Sequence, residues 1–218
     1  GHSFGEFPAL IAAGAWSFEN AARATRARCQ AIENSSGAHG IMLSVAAEAQ
    51  ILDEVAADIR TELHVSVRNA KDQIVVGGEE APVRELAQRL QKRDIVTRVL
   101  AAPRAFHTPL MENSKSPLAN ALTSINIGPP QVRMLSSVNN RYVAEPDDIR
   151  RNLVAQMTDP VHYDALIDRL VQQGVQILVE VGPHQILTKL HRKILGQQEM
   201  VLIGADQPKR SGLRQILH

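Results

Sequence analysis

Apolar residues recur at helical spacing and then at strand spacing along the whole chain. Phe7, Leu10 and Ile11 predict a helix over residues 3–13, with Gly14 as its stop. Ser17 is placed to N-cap a second helix running to about residue 34, broken by Ser35, Ser36 and Gly37. That helix carries Arg23, Arg26 and Arg28, and on residue type alone all three belong on a solvated face. From residue 40 to 100 the units shorten. Strands are expected over 41–45, 63–67, 73–76 and 95–100, with polar residues 68–72 as the turn between the middle two. One helix is expected over 47–59, where Ile51, Val55 and Ile59 share a face. Another starts at Pro82 and buries Val83, Leu86, Ala87 and Leu90. The order β-α-β-β-α-β is that of a ferredoxin-like split motif.

After Pro103 a larger body resumes. Helices are expected over 110–123 (disturbed at Pro117), 148–157 and 163–173, the last stopped by Gly174, and a strand over 133–138. Residues 175–181 form a near-continuous apolar run, the mark of a buried parallel strand. Gly182-Pro183 turns it into a helix over 184–195, with Ile186, Leu187, Leu190 and Ile194 inward, and residues 200–203 close the set as a strand. Such alternation implies an α/β sheet covered on both faces.

Composition narrows the class. The 218 residues are 44% hydrophobic and carry a formal charge of +1 with no long run of like charges, which argues against nucleic-acid or membrane-surface partners. Aromatics make up only 3%, so the core must be built from Leu, Ile, Val and Ala. No apolar run approaches the roughly 20 residues of a membrane span. The one cysteine, Cys29, can form no internal disulfide. It is expected as a buried small hydrophobe in a reducing, cytoplasmic setting. His64, His162, His184 and His191 show no metal-ligand pairing, so neither a metal nor a bound cofactor is expected.

The chemistry is concentrated at the start. Gly1-His2-Ser3-Phe4-Gly5 contains Gly-x-Ser-x-Gly, the pattern of a nucleophile elbow, in which a serine sits on a strained strand-to-helix turn. Both glycines are expected because a Cβ at either position would collide with neighbouring elements. The following helix aims its first N–H groups at the serine. The strand that should feed the elbow is expected to precede Gly1, in a larger catalytic unit.

Several segments in order resemble the malonyl-CoA:acyl carrier protein transacylase family, which includes the acyltransferase domains of fatty acid, polyketide and polyunsaturated fatty acid synthases. They are Gly1-His2-Ser3-Phe4-Gly5-Glu6 with Ala9-Leu10 and Ala12-Ala13-Gly14, then Ala105-Phe106-His107-Thr108, then Gln156 ahead of Asp159-Pro160-Val161, then Glu180-Val181-Gly182-Pro183. The lobe inserted between serine and histidine is also the family's arrangement. The resemblance implies an α/β fold with a hydrolase-like parallel sheet covered by helices and an inserted ferredoxin-like βαββαβ subdomain. Its parts would be a core of residues 1–39 and 103–205, a lobe of 40–102, and a tail or linker of 206–218.

For the site, the resemblance implies that Ser3 is the nucleophile and His107 its general base, oriented by the backbone carbonyl of Gln156. The N–H of Phe4 would be one oxyanion donor, and Arg28 would grip the malonyl carboxylate. His2 would shape the pocket floor, and Phe106 would favour malonyl over methylmalonyl. The family's Gly-Gln-Gly oxyanion loop would lie before Gly1. Malonyl-CoA is then the substrate, the partner is an acyl carrier protein presenting a phosphopantetheine thiol, and the chain would be covalently part of a multidomain synthase. Three positions depart from common family choices: Arg104 stands where His or Gly is frequent, Phe7 replaces a tyrosine, and Phe4 occupies a variable site. Two alternatives stand beside this. One is a serine hydrolase using the same elbow with water as acceptor, and the other is a catalytically silent docking domain.

Overall fold

Ser17 accepts a hydrogen bond from the Asn20 N–H (3.2 Å) and so caps α2 (Phe18–Glu33), as its position predicts. In the computed structural model, which describes residues 1–35 and 40–206, α2 follows a 3-10 turn (Ser3–Gly5) and the short α1 (Glu6–Ala12). The expected break at Ser36 and Gly37 lies outside the described residues, as does all but the first residue of the expected 206–218 tail. The chain divides into two units, Gly1–Tyr163 and Asp164–His218.

Within the first unit, β1 (Gly40–Val45), β2 (His64–Ala70), β3 (Gln73–Glu79) and β4 (Thr97–Val99) form an antiparallel sheet ordered β4-β1-β3-β2. With α3 (Ile51–Val55) between β1 and β2 and α4 (Glu80–Gln91) between β3 and β4, this is the expected βαββαβ topology. Leu43, Val45, Ile74 and Val76 share its core with Leu52, Leu86 and Leu90 of the two helices. A second core joins α1 and α2 to α5 (Lys115–Thr123) and α6 (Pro146–Ala155) through Phe7, Leu10, Trp16, Leu118, Leu122 and Leu153. The short strands β5 (Met134–Leu135) and β6 (Tyr142–Val143) pair antiparallel. A further strand, β7 (Val161–His162), extends the sheet by pairing parallel to β2, and no apolar run in the sequence marks it.

Several elements differ from expectation. Residues 175–181 are not the buried strand expected, since Ile177, Val179 and Val181 are exposed. Four others differ for a local reason. The helix expected over 47–59 shortens to α3. Arg89 Nη1 takes the carbonyl of Val55 (3.0 Å), and Ala56 leaves helical geometry at φ −138° and ψ 31° before a 3-10 turn (Ala57–Glu62). The expected turn 68–72 shrinks to two residues because β2 continues to Ala70 and pairs with Gln73. The helix expected over 110–123 is a 3-10 turn (Pro109–Ser114) followed by α5, so Pro117 falls in the first turn of α5, where its missing N–H costs nothing. The strand expected over 133–138 stops at Leu135, where the Ser136 hydroxyl and the Ser137 N–H and hydroxyl turn to Glu6.

In the second unit, which includes the rest of α7 (Tyr163–Gln172), β8 (Ile177–Glu180) pairs parallel with β9 (Val201–Gly204). The helix between them is α8 (Ile186–Leu195). The buried Glu180 carboxylate accepts from the N–H groups of Leu187 (2.9 Å) and Thr188 (2.7 Å) and from Thr188 Oγ1 (2.7 Å). A negative charge at the first turn of α8 satisfies donors that the helix itself cannot. Glu180-Val181-Gly182-Pro183 is therefore a helix-capping device. Among the described residues no helix is long and apolar enough to cross a membrane.

The loop after β4 lies against the sheet where side chains are smallest. A Cβ on Gly40 would fall 2.6 Å from Ala105 Cβ and 2.6 Å from the Gly78 carbonyl oxygen. Neither neighbour can rotate away, because one is backbone and the other is fixed to it. Gly40→Ala should therefore destabilise the protein by about 1–3 kcal/mol, the usual range for overpacking, and lower its urea midpoint. An unchanged midpoint would mean that residues 105–108 do not dock tightly on β1 and β3.

Candidate active site

The elbow is built from backbone constraints. A Cβ on Gly1 would sit 2.3 Å from the carbonyl carbon and oxygen of Gly5, so only hydrogen fits there. Gly5 departs from the expectation. A Cβ on it would meet nothing within 4 Å, and its φ of −59° is ordinary helical backbone, so only one of the two glycines is required by sterics among the described residues. Between them Ser3 adopts φ 51°, a left-handed conformation that costs a non-glycine residue about 1–3 kcal/mol.

His107, at φ 60°, is held the same way. Its N–H donates to the Met157 carbonyl (3.1 Å), and the following Thr108 Oγ1 donates to the Ala105 carbonyl (2.6 Å). These bonds bring His107 Nε2 to 2.7 Å from Ser3 Oγ, across 104 residues of sequence. The ring is almost fully buried, and burial pushes its pKa down to about 4, with the positive charges of Arg28 and His2 acting in the same direction. The ring is thus neutral at pH 7 and free to accept the serine proton. Nδ1 has no partner at hydrogen-bonding geometry among the described residues, although the backbone carbonyls of Gln156 and Asp159 act on the ring in the sense that raises its pKa.

Gln156 caps the C-terminal end of α6 and is fully buried. Its side-chain amide donates to the Ser3 carbonyl (3.1 Å), a contact that residue spacing does not reveal. His2 Nε2 bonds to Asn69 Oδ1 of β2 (2.9 Å), and its ring meets Tyr163 edge-on at 4.9 Å. The two neighbours in the elbow thus diverge, Ser3 to His107 and His2 to the sheet.

Arg28 corrects the reading from residue type. Arg23 and Arg26 are exposed, but Arg28 belongs to the buried stripe of α2 with Ala21, Ala24 and Ala31. That spacing of three, four and three is visible in the sequence and separates Arg28 from its neighbours. Cys29, one position round the helix, is exposed and not the buried hydrophobe expected. The Arg28 guanidinium lies 5.7 Å from the Phe4 ring centre and 5.6 Å from that of Phe106, within cation–π range of both. Phe4 in turn stacks on Phe7 at 5.2 Å. Burial lowers the Arg28 pKa, and its Nε has no hydrogen-bond partner among the described residues, nor does any carboxylate there pair with it. A buried, unpaired cation in this position is suited to an anionic ligand.

Sequence reasoning missed Glu6, Ser136, Ser137 and Asn152, which form a fully or nearly buried polar cluster behind the elbow. The available signal was Glu6 itself, a carboxylate in register with the buried Leu10 and Ala13 on the inner face of the first helix.

A family profile for acyl transferase domains matches residues 1–217. The chain is 33% identical over 202 residues to a malonyl CoA-acyl carrier protein transacylase of Bacillus subtilis, covering 89% of this chain and 63% of that protein. Among solved structures, the acyltransferase domain from the second module of the salinomycin polyketide synthase superposes with a TM-score of 0.87 at 29% identity, over 100% of this chain and 51% of that one. A malonyl-transacylase in complex with a type II polyketide synthase acyl-carrier protein superposes with a TM-score of 0.86 at 26% identity, over 98% of this chain and 70% of that one. The chain therefore spans less than two thirds of the length of the Bacillus subtilis relative. With the elbow serine, its histidine partner and the intervening lobe arranged as above, this chain belongs to the acyl transferase domain family.

Proposed function

We propose that this chain transfers a malonyl group from malonyl-CoA, through an ester on Ser3, to the phosphopantetheine thiol of an acyl carrier protein. The observation that carries the proposal is the buried Arg28 guanidinium, unpaired by any described carboxylate and next to a serine–histidine pair. An esterase acting on neutral acyl groups has no use for such a cation, whereas a free malonyl carboxylate matches its two parallel donors.

Ser3 Oγ attacks the thioester carbonyl carbon while His107 Nε2 takes the hydroxyl proton. The Phe4 N–H stabilises the oxyanion, and the Gln156 carbonyl orients the ring. The C–S bond then breaks, His107 returns its proton to the departing CoA sulfur, and the malonyl group remains as a seryl ester. The carrier's thiol repeats the sequence in reverse: its sulfur attacks, its proton passes to His107, the C–O bond to Ser3 breaks, and His107 returns that proton to Ser3 Oγ. His2 forms part of the pocket floor. Phe106 lies beside C2 of the acyl chain and disfavours a methyl branch.

The relative solved with its acyl-carrier protein supports the choice of acceptor, and the polyketide synthase relative supports a place within a multidomain synthase of fatty acid or polyketide synthesis. The reaction would take place in the cytoplasm, the reducing setting expected for a chain with a single cysteine. Residues 40–102 would act as a lobe inserted in a catalytic body formed by residues 1–39 and 103–205.

Radiolabelled malonyl-CoA tests the proposal directly. The protein should retain label that is lost in a Ser3→Ala variant and is discharged when holo carrier protein is added. Label lost rapidly to water without carrier would instead identify a hydrolase, and absence of label a silent domain. Arg28→Ala should lower kcat/KM for malonyl-CoA while leaving acetyl-CoA nearly untouched. Breaking a buried charge pair costs about 3–5 kcal/mol, on the order of a hundredfold to several thousandfold. Equal losses for both esters would make Arg28 structural.

The pH profile follows from His107. Its neutral form, the base, is fully present well above its pKa and is lost as pH falls through about 4. The rate of Ser3 acylation should therefore be level between about pH 6 and 8 and decline only toward pH 4. A midpoint at the ordinary histidine value of 6.5 would show that the ring is not buried as described.

A further inference from the structure

The Glu6 carboxylate is fully buried three residues after Ser3, with no cation within ion-pair distance among the described residues. The donors that hydrogen-bond it are all neutral. Oε1 accepts from the Ser137 N–H (2.6 Å), Ser137 Oγ (2.7 Å) and Ser136 Oγ (3.1 Å), and Oε2 accepts from Asn152 Nδ2 (2.9 Å). Asn152 Nδ2 also donates to Ser136 Oγ (2.8 Å). A buried charge is retained only where such partners fix it in place, and a network of this kind has one low-energy arrangement.

Asn152 and Gln156 stand four residues apart on α6 and so share a face. Asn152 grips Glu6, and Gln156 donates to the Ser3 carbonyl at 3.1 Å. One residue on, the Met157 carbonyl receives the His107 N–H at 3.1 Å. Three attachments in the last turn of α6 and just beyond it therefore reach the helix behind the serine, the serine and the histidine. Ser3 and His107 both hold left-handed backbone, which persists only where its surroundings over-determine it.

We infer that Glu6 and Asn152 are positioning residues: their contact sets the register of α6 against α1 and thereby the Ser3–His107 geometry. Neither touches the reacting atoms in this scheme. The inference deepens the proposed function and rests on Ser3 and His107 acting together, but it does not depend on malonyl as the substrate.

The test therefore reads the rate at which a serine-directed phosphonylating reagent modifies Ser3, per folded molecule, without any acyl-CoA. Asn152→Asp keeps the shape but places a second carboxylate against Glu6. Two facing carboxylates can be accommodated only while they share a proton. The variant should be slowed by about a hundredfold at pH 8, as expected for a misplacement near 1 Å, and should recover as the pH is lowered. That limb runs opposite to the decline of His107 toward pH 4. Glu6→Gln should be slowed at all pH values, since its amide N–H₂ faces donors. The double variant Glu6→Gln/Asn152→Asp exchanges donor and acceptor across the contact and should regain most of the rate lost by either single change. Ser137→Ala, which removes one hydroxyl donor and keeps the backbone N–H, provides a milder lesion if the single variants fold poorly, and it should also slow labelling of the folded fraction. Wild-type labelling per folded molecule in every variant would overturn the inference and leave the elbow assignment intact. Failure of the wild type to be labelled at Ser3 would overturn both.

Discussion

A hydrogen bond of 2.7 Å joins two residues 104 positions apart, Ser3 and His107, each with its backbone in the left-handed region. No local preference places either residue there. Both conformations are unfavourable for side chains with a Cβ, so the surrounding structure must supply the stabilisation. It does so from opposite directions. Gly1 crosses close to Gly5 and bends the chain at the serine, while the sheet offers Gly40 and Gly77 as a surface low enough for residues 105–108 to dock. The end of α6 then ties the two halves together through Gln156 and Met157.

The electrostatics of the site follow from burial. Removing His107 from water keeps its ring neutral, and the nearby charge of Arg28 reinforces that state. The same burial leaves Arg28 charged but poorly solvated between the faces of Phe4 and Phe106. Two rings replace part of its lost hydration, though not the hydrogen bond that its Nε lacks. Burial thus keeps the histidine neutral and leaves the arginine with an unpartnered Nε among the described residues. Glu6 is the complementary case. Its charge is buried too, but each oxygen has donors, so it is bound within the structure and does not reach toward the pocket.

Much of this was legible in the order of residues. The βαββαβ succession could be read from alternation and turn chemistry because each strand buries one face and each crossover helix one stripe, a pattern local enough to survive in sequence. Gly-x-Ser-x-Gly and the Ala105-Phe106-His107-Thr108 segment singled out Ser3 and His107, which the fold joins by a hydrogen bond, since strained turns admit few residue types. Arg28 could have been separated from Arg23 and Arg26 by its place among Ala21, Ala24 and Ala31. Other features had no local signature. The two residues of β7 become a strand only because β2 offers a free edge, and the expected strand over 133–138 ends early where Glu6 takes its polar groups. The Asn152–Glu6 and Gln156–Ser3 contacts span 146 and 153 residues. Sequence by itself determined which chemistry was present, because hydroxyl, imidazole and guanidinium groups are properties of single residues. The distances that let those groups act on one another came only with the tertiary structure, since a hydrogen bond between remote segments depends on how whole helices and sheets pack and leaves no periodicity in the chain.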